Sequence, residues 1–204
     1  LVESHQGLGA FVSSKAHRNS FRIDHDELSH LPKLRQLYEL RLDLEVSAAG
    51  MAARRRSRSQ LAAIQAALSA LRDALANGQG MVESSLAFKR AIADATGNEY
   101  FKNFVLFLTA HIFEAASFER RIATSGALRE TVLTEYESIL EAITVGDPDL
   151  ARRAAWTQII NSAERNGLRG LQGWEVTRMT SLGETYAPPC APPVSSCATP
   201  SLPL

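Results

Sequence analysis

Polar side chains that fall among apolar neighbours on one helix face mark where this chain could do chemistry. In Met81–Thr96 the apolar residues Met81, Val82, Phe88 and Ile92 share a face at about 100° per residue, and Ser85, Lys89 and Thr96 lie within it. Glu83, Arg90 and Asp94 lie opposite. Ser85 and Lys89 are four residues apart, so they project side by side. Burying an ammonium is costly unless an anion meets it. Two readings stand: Lys89 meets an anionic ligand, or it reaches a bundle end or pairs with an internal carboxylate.

The pattern recurs downstream. Tyr136 is surrounded on its face by Val132, Leu133, Ile139, Leu140 and Ile143. A core tyrosine commonly finds one hydrogen-bond partner, so alone it says little. Gln158 shares its face with Ala151, Ala154, Ala155 and Ser162; small residues around a buried amide leave space, as a ligand pocket requires. His111 lies with Phe104, Phe107, Leu108 and Phe118, where a lone histidine is more often a satisfied core residue than a ligand or base.

No enzyme signature accompanies these residues. The chain has no His-Glu-x-x-His, no phosphate-cradling loop with a lysine, and no favourable Cys–His spacing. Gly7-x-Gly9 is not followed by a βαβ unit and reads as a hairpin tip. Asp24-His25-Asp26-Glu27 are adjacent linker residues, poorly placed to converge on one ion. The run Arg54-Arg55-Arg56-Ser57-Arg58 could contact phosphates, but a helix C-terminus favours cations in any case.

The elements that must position these side chains are helices. Helical periods run from Leu31 to about Asn166: Leu31 to about Arg56 with Ser29 as cap and Pro32 in the first turn, then about Arg58–Ala76, Met81–Thr96, Asn98 to about Ala123, Ala127–Val145, and Pro148 to about Arg165 capped by Asp147. Short connections predict antiparallel neighbours and an all-α, antiparallel helical bundle. Before it, Leu1–Val2 and Ala10–Phe11–Val12 flank a glycine turn and predict a short β-hairpin. Six of the eight prolines follow Ala187, with Cys190 and Cys197 among them and no charged residue after Glu184, so that tail is expected to be largely disordered and its cysteines free thiols. The 204 residues carry 22 Lys+Arg against 22 Asp+Glu and are 45% hydrophobic, as for a globular protein and not a wholly basic nucleic-acid binder. No apolar run is long enough to span a bilayer, and a cytoplasmic location is expected.

The segment Leu1-Val2-Glu3-Ser4-His5-Gln6-Gly7-Leu8-Gly9-Ala10-Phe11-Val12 resembles the wing hairpin that ends a GntR-type winged helix-turn-helix domain. Tyr38-Glu39-Leu40-Arg41-Leu42-Asp43-Leu44-Glu45, continuing to Ala52-Ala53-Arg54-Arg55, resembles the first helix of the FadR-type effector domain called FCD. Phe88-Lys89-Arg90-Ala91-Ile92-Ala93-Asp94-Ala95-Thr96-Gly97-Asn98 resembles that domain's Phe-His-x-x-Ile-x-x-Ala-(Ser/Thr)-Gly-Asn signature. Ile139-Leu140-Glu141-Ala142-Ile143, followed by Gly146-Asp147, fits its next motif. The resemblance covers residues 1 to about 166 and implies a wing remnant (1–14), a linker (15–28), an FCD-like effector-binding and dimerisation domain (29–167) and a tail (168–204).

The resemblance implies a dimeric, metabolite-responsive bacterial transcription regulator that is not an enzyme. Its bundle would sense a small molecule, often a carboxylate, and its winged helix would bind operator DNA. Many members hold a divalent metal with an Asp, a His four residues later and two further His. Here those places hold Ser85, Lys89, Tyr136 (after Glu135) and Gln158, the four positions that helical phase singles out. This set has no normal appetite for Zn, Mn or Ni, so no metal and no other cofactor is expected.

Lys89 would replace the metal's positive charge and meet a carboxylate effector, with Ser85, Tyr136 and Gln158 as hydrogen-bond donors. Arg41 would add a second charge, or equally pair with Glu45 one turn along. His111 completes the effector-facing set. Gly7 and Gly9 would lie in the wing against DNA. The recognition helix would lie upstream of Leu1, so operator DNA is expected as a partner only where that helix is present. A homodimer is expected, without membrane contact. The alternative is a degenerate dimerisation scaffold of a truncated regulator, with no ligand.

Overall fold

The computed structural model describes residues 2–5, 9–12, 30–115 and 125–171. Residues 1–169 form one compact unit and residues 170–204 a second. In the first, β1 (Val2–His5) and β2 (Gly9–Val12) pair antiparallel, Val2 opposite Val12 and His5 opposite Gly9. Gly9 therefore opens a strand and does not form the turn as expected. Gly7, the linker with Asp24–Glu27, and the tail with Cys190 and Cys197 lie outside the described residues.

Six helices follow among the described residues: α1 (Leu31–Arg55), α2 (Arg58–Asn77), α3 (Met81–Ala95), α4 (Glu99–Ala115), α5 (Gly126–Val145) and α6 (Pro148–Arg165). The expected continuation of the fourth helix to Ala123 falls outside them. Ser29 does too, and His30 holds the first cap position with no side-chain cap bond. Elsewhere the local signals act as the residue types require. Ser57 and Gln60 form a reciprocal capping box at α2, Ser125 Oγ accepts from Leu128 N at α5, and Asp147 Oδ1 accepts from Asp149 N and Leu150 N at α6. Those two backbone bonds hold the Asp147 carboxyl below its ordinary pKa.

α1 is the hub. It packs extensively against α3, α4, α5 and α6, while α2 packs against α3 and α5. Ala48, Ala49, Ala52 and Ala53 of α1 join a core containing Ile64, Leu71, Phe88, Ile143 and Ala151. Their small side chains let neighbouring backbones come close. α1 and α2 are not an extensive pair, although only Arg56 and Ser57 join them. Both joining residues are extended (ψ 136 and 169), so the chain is carried away from α1 and not folded back along it.

The arginine run serves helix ends. Arg55 Nη1 donates to Thr96 O at 2.9 Å, just past α3, and Arg56 donates to Ala53 O at 2.5 Å and to Thr144 O at 2.9 Å. Cations at these carbonyl ends satisfy orphan acceptors and oppose the helix dipole. Gly146 completes the α5 end at φ +85°, and a Cβ there would stand 2.9 Å from Arg56 Nη2. Gly146→Ala is therefore expected to cost about 1–2 kcal/mol through the left-handed backbone alone. Urea unfolding measures it, and no loss would mean that the turn relaxes. No helix of the described residues is long and apolar enough to cross a membrane.

Candidate functional site

Five helices deliver polar side chains to one buried cluster. Arg41 and Glu45 lie one turn apart on the core face of α1, and Arg41 Nε donates to Glu45 Oε1 at 2.5 Å. Lys89 of α3 donates from Nζ to Glu45 Oε2, and its ammonium is 3.4 Å from Gln158 Oε1 of α6. Thr109 of α4 donates to Glu45 Oε1 at 3.0 Å. Tyr136 of α5 comes in beside Ser85; its ring lies edge-on to Phe88 at 5.2 Å and 5.8 Å from the Lys89 ammonium. Arg41, Glu45, Ser85, Lys89, Thr109, Tyr136 and Gln158 are all buried.

Burial and charge oppose one another here. Burial alone would raise the Glu45 pKa, yet Arg41 and Lys89 hold it down at about 2. Burial lowers Lys89 to about 8, since Glu45 only partly compensates and Arg41 repels it. Burial would also lower Arg41, but Glu45 outweighs it and raises the guanidinium above its ordinary value. Burial pushes Tyr136 up to about 12, which keeps it a neutral hydroxyl. With Lys89 protonated, two cations face one carboxylate. Arg41 Nη2 is buried and, among the described residues, has no hydrogen-bond partner. An orphan donor of that kind ordinarily costs about 1–3 kcal/mol.

The space beside the cluster is small. Glu45, Lys89, Tyr136 and Gln158 share a cavity of about 20 Å³ with Ala48, Ala49 and Ala155. That admits about one water molecule and no organic carboxylate. Of the small residues that share the Gln158 face, only Ala155 lines this cavity, and the Glu45 carboxylate lies at its edge. The anion that meets Lys89 is thus internal, one of the two readings its sequence position left open.

Arg41, Ser85, Lys89, Tyr136 and Gln158 come together as the sequence reading expected. His111 does not join them. It is half-buried, donates from Nδ1 to Phe107 O at 2.7 Å and packs on the Phe107 ring. It stands two residues beyond Thr109, roughly 200° round α4, which turns it from the cluster. Thr109 was missed: its signal was a place between Leu108 and the Val105 face, which an apolar-face search discounts for a hydroxyl that can bond its own helix. Its single proton is shared between the two acceptors, since Thr109 Oγ1 also lies 2.7 Å from Val105 O. Glu45 was read only as a partner for Arg41. Beside the cluster, Glu135 adds a weaker attraction for the Lys89 charge; Arg165 grips its carboxylate with two bonds of 2.8 and 2.7 Å, and Asn161 donates a third at 2.8 Å.

The donor set does not suit a divalent metal. Lys89 and Arg41 bring positive charge to the position, and the one carboxylate is engaged by both. Among the described residues no three His, Cys, Asp or Glu side chains group to hold an ion.

The FCD domain family matches residues 36–161. The chain belongs to the FCD-domain family. Its relatives are GntR-family transcription regulators. The HTH-type transcriptional regulator LutR of Bacillus subtilis is 27% identical over 79% of this chain and 75% of its own length. The galactonate operon transcriptional repressor of Escherichia coli is 29% identical over 81% of this chain and 73% of its own. In structure, the FCD protein is similar to Streptococcus agalactiae GntR, with a TM-score of 0.58 at 22% identity, covering 80% of this chain and 74% of that one. The family match begins beyond the β1–β2 pair and lends no support to its assignment as a wing remnant.

Proposed function

We propose that this FCD domain is the effector-sensing and dimerisation portion of a GntR-family regulator, and that its effector is a small organic carboxylate bound at Lys89 and Arg41. One observation carries the reading: among the described residues, two buried cations share a single carboxylate and Arg41 Nη2 has no acceptor. A buried cluster with a surplus positive charge and an idle donor is suited to holding an organic anion. Gln158, Tyr136 and Ser85 supply neutral polar contacts around it. The relative named for a galactonate operon, galactonate being a carboxylate, accords with this class of effector. Because Arg41 and Glu45 belong to α1, an effector that rearranges them acts on the hub helix. In a homodimer that motion would alter the presentation of attached DNA-binding heads, a coupling free energy between two sites.

A second reading has its own observation. The cavity of about 20 Å³ suits a scaffold whose salt-bridged core needs no ligand.

A thermal-shift screen against small carboxylates and sugar phosphates, with chelator and with added divalent metals, separates the two. A ligand at one hundred times its Kd stabilises by about 2.7 kcal/mol. A metal-independent shift with an organic anion is expected, and Lys89→Met should abolish it while leaving the helical fold, since Arg41 and Thr109 still hold Glu45. A shift with Zn or Ni alone, or an unchanged response in the variant, would sink the proposal. No shift at all favours the scaffold.

A further inference from the structure

We infer that Glu45 is a built-in occupant of a carboxylate-binding site, so that an external carboxylate enters only by taking its place. The inference deepens the effector-binding reading and rests on it for the site's role, though not for its chemistry.

The geometry is that of a bound carboxylate. One oxygen accepts from the Arg41 guanidinium at 2.5 Å and the Thr109 hydroxyl at 3.0 Å, and the other accepts from the Lys89 ammonium. These donors lie on α1, α3 and α4. Each is of a type that recognises a small organic acid: guanidinium, ammonium and hydroxyl. The adjoining cavity holds about 20 Å³, so the donors and an external acid cannot meet while the Glu45 carboxylate remains. The walls beside it, Ala48, Ala49 and Ala155, are side chains with no polar atoms to compete. An effector must therefore offer the three donors at least what Glu45 offers. Glu45 also enjoys the high effective concentration of a tethered group. It thereby sets the affinity threshold and excludes acids that bind through the carboxylate alone.

The test is to remove the tethered acid and supply it free. Glu45→Ala deletes Cγ and the carboxylate, the atoms that acetate restores. Sodium acetate should raise the melting temperature of Glu45→Ala saturably, by about 3 °C or more near tenfold excess over Kd, against sodium chloride at equal ionic strength. The unsubstituted protein should not respond to acetate, and Glu45→Ala with Lys89→Met should respond more weakly than Glu45→Ala alone. Should Glu45→Ala be unfolded without additive, acetate-dependent return of helical circular dichroism is the readout. An acetate response no larger than that of chloride, or equal in the unsubstituted protein, overturns the inference. The outcomes stay separable. Acetate rescue of Glu45→Ala, with no carboxylate shifting the unsubstituted protein, upholds the internal occupant and defeats the sensor; a shift without rescue does the reverse.

Discussion

Glu45→Gln is expected to destabilise the fold by about 3–5 kcal/mol, the cost of breaking a buried ion pair from one side. The amide is close to the carboxylate in shape, so packing is preserved and the loss is electrostatic. Arg41 cannot shed its charge and is left buried against a neutral amide, with a donor already lacking an acceptor. Lys89 can escape by releasing its proton, which caps its share of the cost. Removing Lys89 is different in kind. Lys89→Met leaves Glu45 with Arg41 and Thr109 and a cluster of zero net charge, so it should cost much less than Glu45→Gln. The double variant should then be more stable than the sum of the single losses predicts, because the second substitution deletes a cation the first left unpaired. Urea unfolding of the four proteins at neutral pH measures all of this. A Glu45→Gln protein within about 1 kcal/mol of the original would show that the carboxylate does not organise the cluster.

The second large effect is a stability profile with two separate limbs, both rising with pH. Glu45 titrates at about 2 in the folded chain against an ordinary 4.5, so its contribution is complete above 4.5 and is lost as pH falls toward 2. Lys89 titrates at about 8 against an ordinary 10.5. Between those values the unfolded chain holds the extra proton, so stability rises with pH there; below 8 the cost of the buried ammonium is fully present. Each limb amounts to about 3 kcal/mol. Unfolding measured from acid to alkaline pH should show Glu45→Gln lacking most of the acid loss and Lys89→Met lacking the alkaline gain. Profiles that merely run parallel to that of the original protein would rule out these groups as the source.

Ser85, Lys89, Tyr136 and Gln158 were legible as inward-facing because a helix repeats every 3.6 residues, and neighbours within two turns show which side is apolar. The capping residue Asp147 was legible for the same local reason: a cap involves only the next few residues. His111 passed that test and still missed the cluster, since an apolar face on α4 is broader than the part that meets Glu45. Which anion meets Lys89 could not be read this way. Glu45 lies 44 positions away, and Thr109 reaches the same carboxylate from 64 positions away. Helical phase assigns a side chain to a face but carries no information on which faces meet, or on how far along each helix they meet. The sequence alone therefore determined a helical bundle with a charged lysine turned inward. Only the packing of α3 and α4 onto α1 decided that its counter-ion is Glu45, and that the space beside it closes to about 20 Å³.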